Sequence, residues 1–76
     1  MNIKVLGPGC AKCKEADALV RKVAEEMGIS ANIEKVTDIQ EMLKLGVLST
    51  PAVVVDGQVK CTGRIPSRDE LLAWLA

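Results

Sequence analysis

The sequence predicts an α/β fold in the order β-α-β-α-β-β-α, built on a four-stranded mixed sheet with helices on both faces. Three observations carry this expectation. A branched apolar run, Asn2 to Leu6, meets a Gly-Pro-Gly break and then a long stretch with helical apolar spacing. A second apolar run, Ala52 to Val55, enters the turn pair Asp56-Gly57. The chain then closes on Ser67-Arg68-Asp69-Glu70, a capping pattern ahead of a leucine-rich helix.

Each element has a local reason. "NIKVL" is short and β-branched, so it reads as a strand. From about Cys10 to Met27, Ala16, Leu19, Val20, Val23 and Met27 recur at steps of three and four, which makes one apolar helix face. Gly28 suits the left-handed residue that ends such a helix. "ANIEKV", Ala31 to Val36, reads as a second strand. Thr37 and Gln40 fit a capping box for a short helix that runs to about Leu45, with Ile39, Met42 and Leu43 apolar and Gly46 ending it. Ala52 to Val55 is continuously apolar, as expected of a strand covered on both faces. Asp56-Gly57 tolerates positive φ and turns that strand into a hairpin ending near Cys61. Leu71, Leu72 and Leu75 mark the last helix. The β-α-β half should pair its strands in parallel through a right-handed crossover.

At 76 residues a single domain spanning 1–76 is expected, with a modest core. Hydrophobic residues make up 49%, and Trp74 is the only aromatic, so the core must come from Val, Leu, Ile, Ala and Met. Ten basic residues balance ten acidic ones. That balance and the missing aromatics argue against nucleic-acid binding. No apolar run approaches a membrane span, so no membrane partner is expected. Met1 leads straight into a strand with no signal-like region, which sets the expected location as cytoplasmic.

Cys10, Cys13 and Cys61 are too few for a disulfide scaffold. In the cytosol thiols default to reduced, so a close pair suits catalysis or a metal better than a permanent staple. Cys10 falls where a turn becomes a helix. The exposed N–H groups and positive dipole end there stabilise a thiolate. Lys12 and Lys14 add charge nearby. Cys13, one turn on, is placed to attack a mixed disulfide held on Cys10. The same spacing also serves metal sites, so the pair alone leaves both readings open.

The stretches "GPGCAKCK" and "STPAVVVDG" resemble the thioredoxin fold. The chain is similar over residues 1–76, including "GRIPSRDEL", to the small glutaredoxin-sized prokaryotic thioredoxin-like proteins known as redox-active disulfide proteins. The resemblance implies that Cys10 attacks and Cys13 resolves. It implies that Pro51 is a cis-proline facing the pair, and that the Thr50 backbone pairs with bound substrate as an added strand. Independently, a residue ahead of proline is driven to extended backbone, which fits Thr50. There are departures. Ala11-Lys12 replaces the usual Gly-Pro between the cysteines, Gly9 replaces a tryptophan, and Lys4 stands where thioredoxins carry a buried acid. The glutaredoxin aromatic and Gly-Gly loop are missing, and Cys61-Thr62-Gly63-Arg64 stands instead.

The expected function is thiol–disulfide oxidoreductase chemistry on Cys10 and Cys13, with no bound cofactor and no metal. The expected partners are a disulfide-containing protein substrate and an electron-donating reductase or small thiol, with the chain acting as a monomer. Two alternatives stand. One is a soft-metal module for Cu(I) or Zn, although Pro8 occupies the position where metal chaperones carry methionine. The other is an interaction protein whose thiol pair is regulatory. A cluster shared between subunits is a remote variant of the first. Cys61 reads as a small core filler. Met27 and Met42 read as core, Trp74 as packing, and Arg64 and Arg68 as solvated surface.

Overall fold

The computed structural model describes residues 1–76. The elements follow the expected order: β1 Asn2–Leu6, α1 Ala11–Met27, β2 Asn32–Val36, α2 Ile39–Lys44, β3 Ala52–Val55, β4 Gln58–Thr62 and α3 Arg68–Trp74. The sheet order is β2-β1-β3-β4. β1 and β2 are parallel, while β1–β3 and β3–β4 are antiparallel, so the sheet is mixed.

Strand alternation divides the core into two layers. Ile3, Val5, Val53 and Val55 face one side, where they meet Ala16, Val20, Val23 and Ala24 of α1 and Leu71 and Leu75 at α3. Leu6, Ala52 and Val54 face the other side and meet Val36, Met42 and Val47. All four residues of β3 are therefore buried, which explains its unbroken apolar run. Cys61 lies in the first layer and Trp74 packs against its margin. At the hairpin, Asp56 and Gly57 take φ of 48° and 82°, the positive values that a two-residue turn needs. A register shift between Val53 and Val54 bulges β4 at Lys60 and breaks the regularity of that sheet edge.

Two local expectations change. The cap of α2 is Asp38, not Thr37: the Asp38 carboxylate accepts from the Gln40 N–H at 2.9 Å. A carboxylate one position later reaches the free amides of the first turn, so the Thr37 hydroxyl is not needed. Of the apolar residues of α2, Met42 is buried while Ile39 and Leu43 are exposed, because a six-residue helix turns only a narrow face inward. Strand β2 also begins at Asn32, one residue later than expected.

The capping box at Ser67 and Glu70 forms as expected. Arg64 adds to it. Its guanidinium makes two parallel bonds of 2.6 Å to the Glu70 carboxylate and holds that group down to about 2 from its ordinary 4.5. Because the folded value lies below the unfolded one, the stabilisation is complete above about pH 4.5 and is lost as pH falls through about 2. Comparing the urea stability of wild type and Glu70→Gln from pH 7 to 2 tests this. The variant should be less stable at neutral pH, and the difference should close on acidification. A gap constant down to pH 2 would show that the carboxylate charge contributes nothing.

Candidate functional site

The site begins where β1 ends. After Leu6 the chain turns through Gly7, Pro8 and Gly9 and delivers Cys10 to the N-cap of α1 in extended backbone. A cap residue supplies an acceptor for the free amides of the first turn, and here that acceptor is sulfur. The Cys13 N–H donates to the Cys10 Sγ at 3.3 Å. Cys10 is exposed, whereas Cys13 is 1% exposed beneath it.

The two thiols are driven apart electrically. Hydrogen bonding from the Cys13 thiol, and then from the Cys13 amide, stabilises the Cys10 thiolate and lowers its pKa. Burial, and then the neighbouring Cys10, raise the pKa of Cys13. The arrangement leaves one sulfur accessible with its thiolate favoured and one thiol buried with its charged form disfavoured.

Cys13 fits because Gly7 has no side chain. A Cβ at Gly7 would come within 2.8 Å of the Cys13 Cβ and closer still to its Sγ. That same point lies 3.8 Å from the Thr50 Cβ, so Gly7, Cys13 and Thr50 meet. The Thr50-Pro51 bond is cis, as the resemblance implies. Pro51 is buried and Thr50 half-buried. Beside Thr50 lies an apolar cleft of about 270 Å³, walled by Pro8, Ile39, Leu43 and Leu48 over Met42 and Val47. Ile39, Leu43 and Leu48 are 65%, 57% and 85% exposed, far more than core packing allows.

The four residues singled out from sequence thus gather at one end of the sheet. Cys61 does not join them. It is buried in the first layer, and its thiol approaches the Arg64 carbonyl at 3.9 Å. Burial pushes the Cys61 thiol up. Lys4 lies on the second-layer face and lines a separate hollow with Asn2, Leu45 and Asp56. Sequence reading missed Gly7 and the cleft. No sequence signal marked the cleft, because Ile39, Leu43 and Leu48 look like ordinary apolar positions until their exposure is known. Gly7 carried none, because its neighbour in space is six positions away.

Two measurements test this geometry. Alkylation followed against pH should give Cys10 a midpoint below that of an ordinary thiol, and Cys13 a slower reaction with a midpoint above it. Coincident midpoints would remove the asymmetry. Gly7→Ala should cost about 1–3 kcal/mol of unfolding free energy, because Cys13 must shift. A fully stable Gly7→Ala with unchanged Cys13 reactivity would mean that the contact is not tight.

Comparison with known proteins points the same way. A family model described as a thioredoxin domain matches residues 1–76. A thioredoxin of Methanocaldococcus jannaschii is 42% identical over 69 residues, covering 91% of this chain and 79% of the relative. A thioredoxin of Methanothermobacter thermautotrophicus is 35% identical over 71 residues, covering 93% and 92%. A probable thioredoxin of Archaeoglobus fulgidus is 37% identical over 67 residues, covering 84% and 72%. The family match over residues 1–76, together with two close cysteines of opposed character, places this chain in the thioredoxin family as a thiol–disulfide oxidoreductase.

Proposed function

We propose that this protein reduces disulfides of polypeptide substrates, with Cys10 as the attacking thiol, Cys13 as the resolving thiol, and Thr50 and Pro51 as the substrate contacts. The observation that carries this is the exposed Cys10 sulfur at the helix cap with a buried thiol directly behind it. The Cys10 thiolate attacks one sulfur of the substrate S–S bond. That bond breaks, a mixed disulfide forms, and the second substrate sulfur leaves as a thiolate that takes up a proton. Cys10 is now neutral, so its charge and hydrogen bond no longer oppose ionisation of Cys13. Cys13 loses its proton and attacks the Cys10 sulfur. The substrate sulfur held on Cys10 departs as a thiolate and takes up the proton that Cys13 released, and Cys10 and Cys13 are left as a disulfide. Two electrons have passed to the substrate. A separate reductase or a small thiol returns them.

The apolar cleft favours a polypeptide over a small charged disulfide, because it offers an apolar side chain a place beside Thr50. An extended substrate segment pairing with the Thr50 backbone would lay its flanking residues there. We place this reaction in the cytoplasm, where a thiol pool keeps such a pair reduced.

Insulin reduction coupled to dithiothreitol is the test. Cys10→Ser should fall by at least about a hundredfold. Cys13→Ser should accumulate a mixed disulfide with the substrate on Cys10, detectable by intact mass. Wild-type turnover in Cys10→Ser, or a mixed disulfide trapped on Cys13 instead, would reject the assigned roles.

A further inference from the structure

The loop after β4 forms a second wall beside the substrate contacts. The Gly63 N–H donates to the Pro51 carbonyl at 2.9 Å, one rung beyond the Ala52–Thr62 pair that ends the β3–β4 ladder. Gly63 has a φ of 73°, and a Cβ on it would stand 3.1 Å from the Ser49 Cβ. Gly63 therefore touches the residues on both sides of Thr50.

Residue 64 is tethered in turn. Arg64 makes its two 2.6 Å bonds to the Glu70 carboxylate, and one oxygen of that carboxylate also accepts from the Ser67 N–H at 3.1 Å. The Ser67 hydroxyl accepts from the Glu70 N–H at 3.2 Å. One carboxylate thus ties both ends of residues 64–67 to the first turn of α3, and α3 is anchored in the core by Leu71 and Leu75. Helix capping alone needs only Ser67 and Glu70. Arg64 is surplus to the cap, and an exposed single-point ion pair would be worth little. The two-point geometry and the shared oxygen distinguish this pair, because they fix direction as well as distance.

We propose that Arg64 and Glu70 are positioning residues for polypeptide substrates: their clamp holds the Gly63 turn against Ser49 and Pro51, and so keeps the Thr50 backbone in register for an incoming extended chain. This rests on the reading of Thr50 and Pro51 as substrate contacts. A small disulfide that meets only the Cys10 sulfur does not need that register, so the clamp acts on one substrate class and not on the thiol chemistry.

Two variants separate the clamp from the cap. Arg64→Met removes the clamp and leaves Ser67 and Glu70 intact. Glu70→Gln removes the charge but keeps a side-chain oxygen for the Ser67 N–H. In both, KM for insulin should rise about three- to fivefold with kcat unchanged, the scale of one semi-exposed two-point pair. Reduction of 2-hydroxyethyl disulfide should match wild type, and the Gly63 amide should exchange with solvent faster. The double variant should be no worse than the weaker single, because both changes remove one interaction. An unchanged insulin KM in both variants overturns the proposal. Equal losses on insulin and the small disulfide also overturn it, since they place the effect at the thiols. Pro51→Ala checks the underlying reading separately. If it leaves the insulin KM unchanged, the substrate contacts are misassigned; if it raises KM while the clamp variants do not, only the clamp falls.

Discussion

The Cys13 amide donates to the Cys10 sulfur across the first turn of α1, and the rest of the redox end is arranged around that bond. It needs Cys10 at the cap, which the Gly7-Pro8-Gly9 turn after β1 provides. It needs the Cys13 side chain to enter the interior, which the bare backbone of Gly7 permits. Once both conditions hold, the asymmetry follows. The cap position faces solvent and a set of free N–H groups, and both favour a thiolate. The position one turn later faces the protein, which disfavours charge. A single helix start therefore gives two thiols of opposed exposure and opposed acidity without a carboxylate or histidine to tune them.

The two layers of the fold are unequal, and this inequality shapes the surface around the thiols. The first layer packs a 17-residue helix and α3 against the sheet. The second has only the six-residue α2 and the chain around Val47. So short an element cannot cover its own apolar residues, and Ile39, Leu43 and Leu48 remain outside beside Thr50. An exposed apolar patch is costly in a lone molecule and is consistent with a surface that meets partners. The thin side of the fold and the reactive end of α1 thus coincide.

The tethers on the opposite wall act at the level of loops. Arg64 with Glu70 ties the segment before α3 to that helix, and Arg68, the first residue of α3, pairs with Glu26 of α1. Neither pair was legible in the sequence, where both arginines read as solvated surface. Neither pair falls at the three- or four-residue spacing of a helix face, so no local pattern marks the partners. The N-cap of α2 was misplaced by one residue for a related reason. Thr37 and Asp38 are both good caps, and local pattern does not choose between adjacent candidates. By contrast the Ser67 box and the Asp56-Gly57 turn were readable, because each satisfies its own backbone within four residues.

What the sequence determined by itself is what short-range chemistry determines. Apolar patterning and turn residues set the order and type of the elements, and the Cys-x-x-Cys pair at a strand-to-helix turn, with the resemblance carried by "GPGCAKCK" and "STPAVVVDG", pointed to thiol chemistry. Tertiary structure alone decided which thiol is buried, which apolar residues stay outside, and which glycines sit against a neighbour. It brought Gly7 to Cys13, Gly63 to Pro51 and Arg64 to Glu70. Those contacts join segments whose separation in sequence bears no relation to their separation in space, so no periodicity or motif encodes them. They become defined only when the sheet order β2-β1-β3-β4 brings the ends of β1, β3 and β4 to one edge of the molecule.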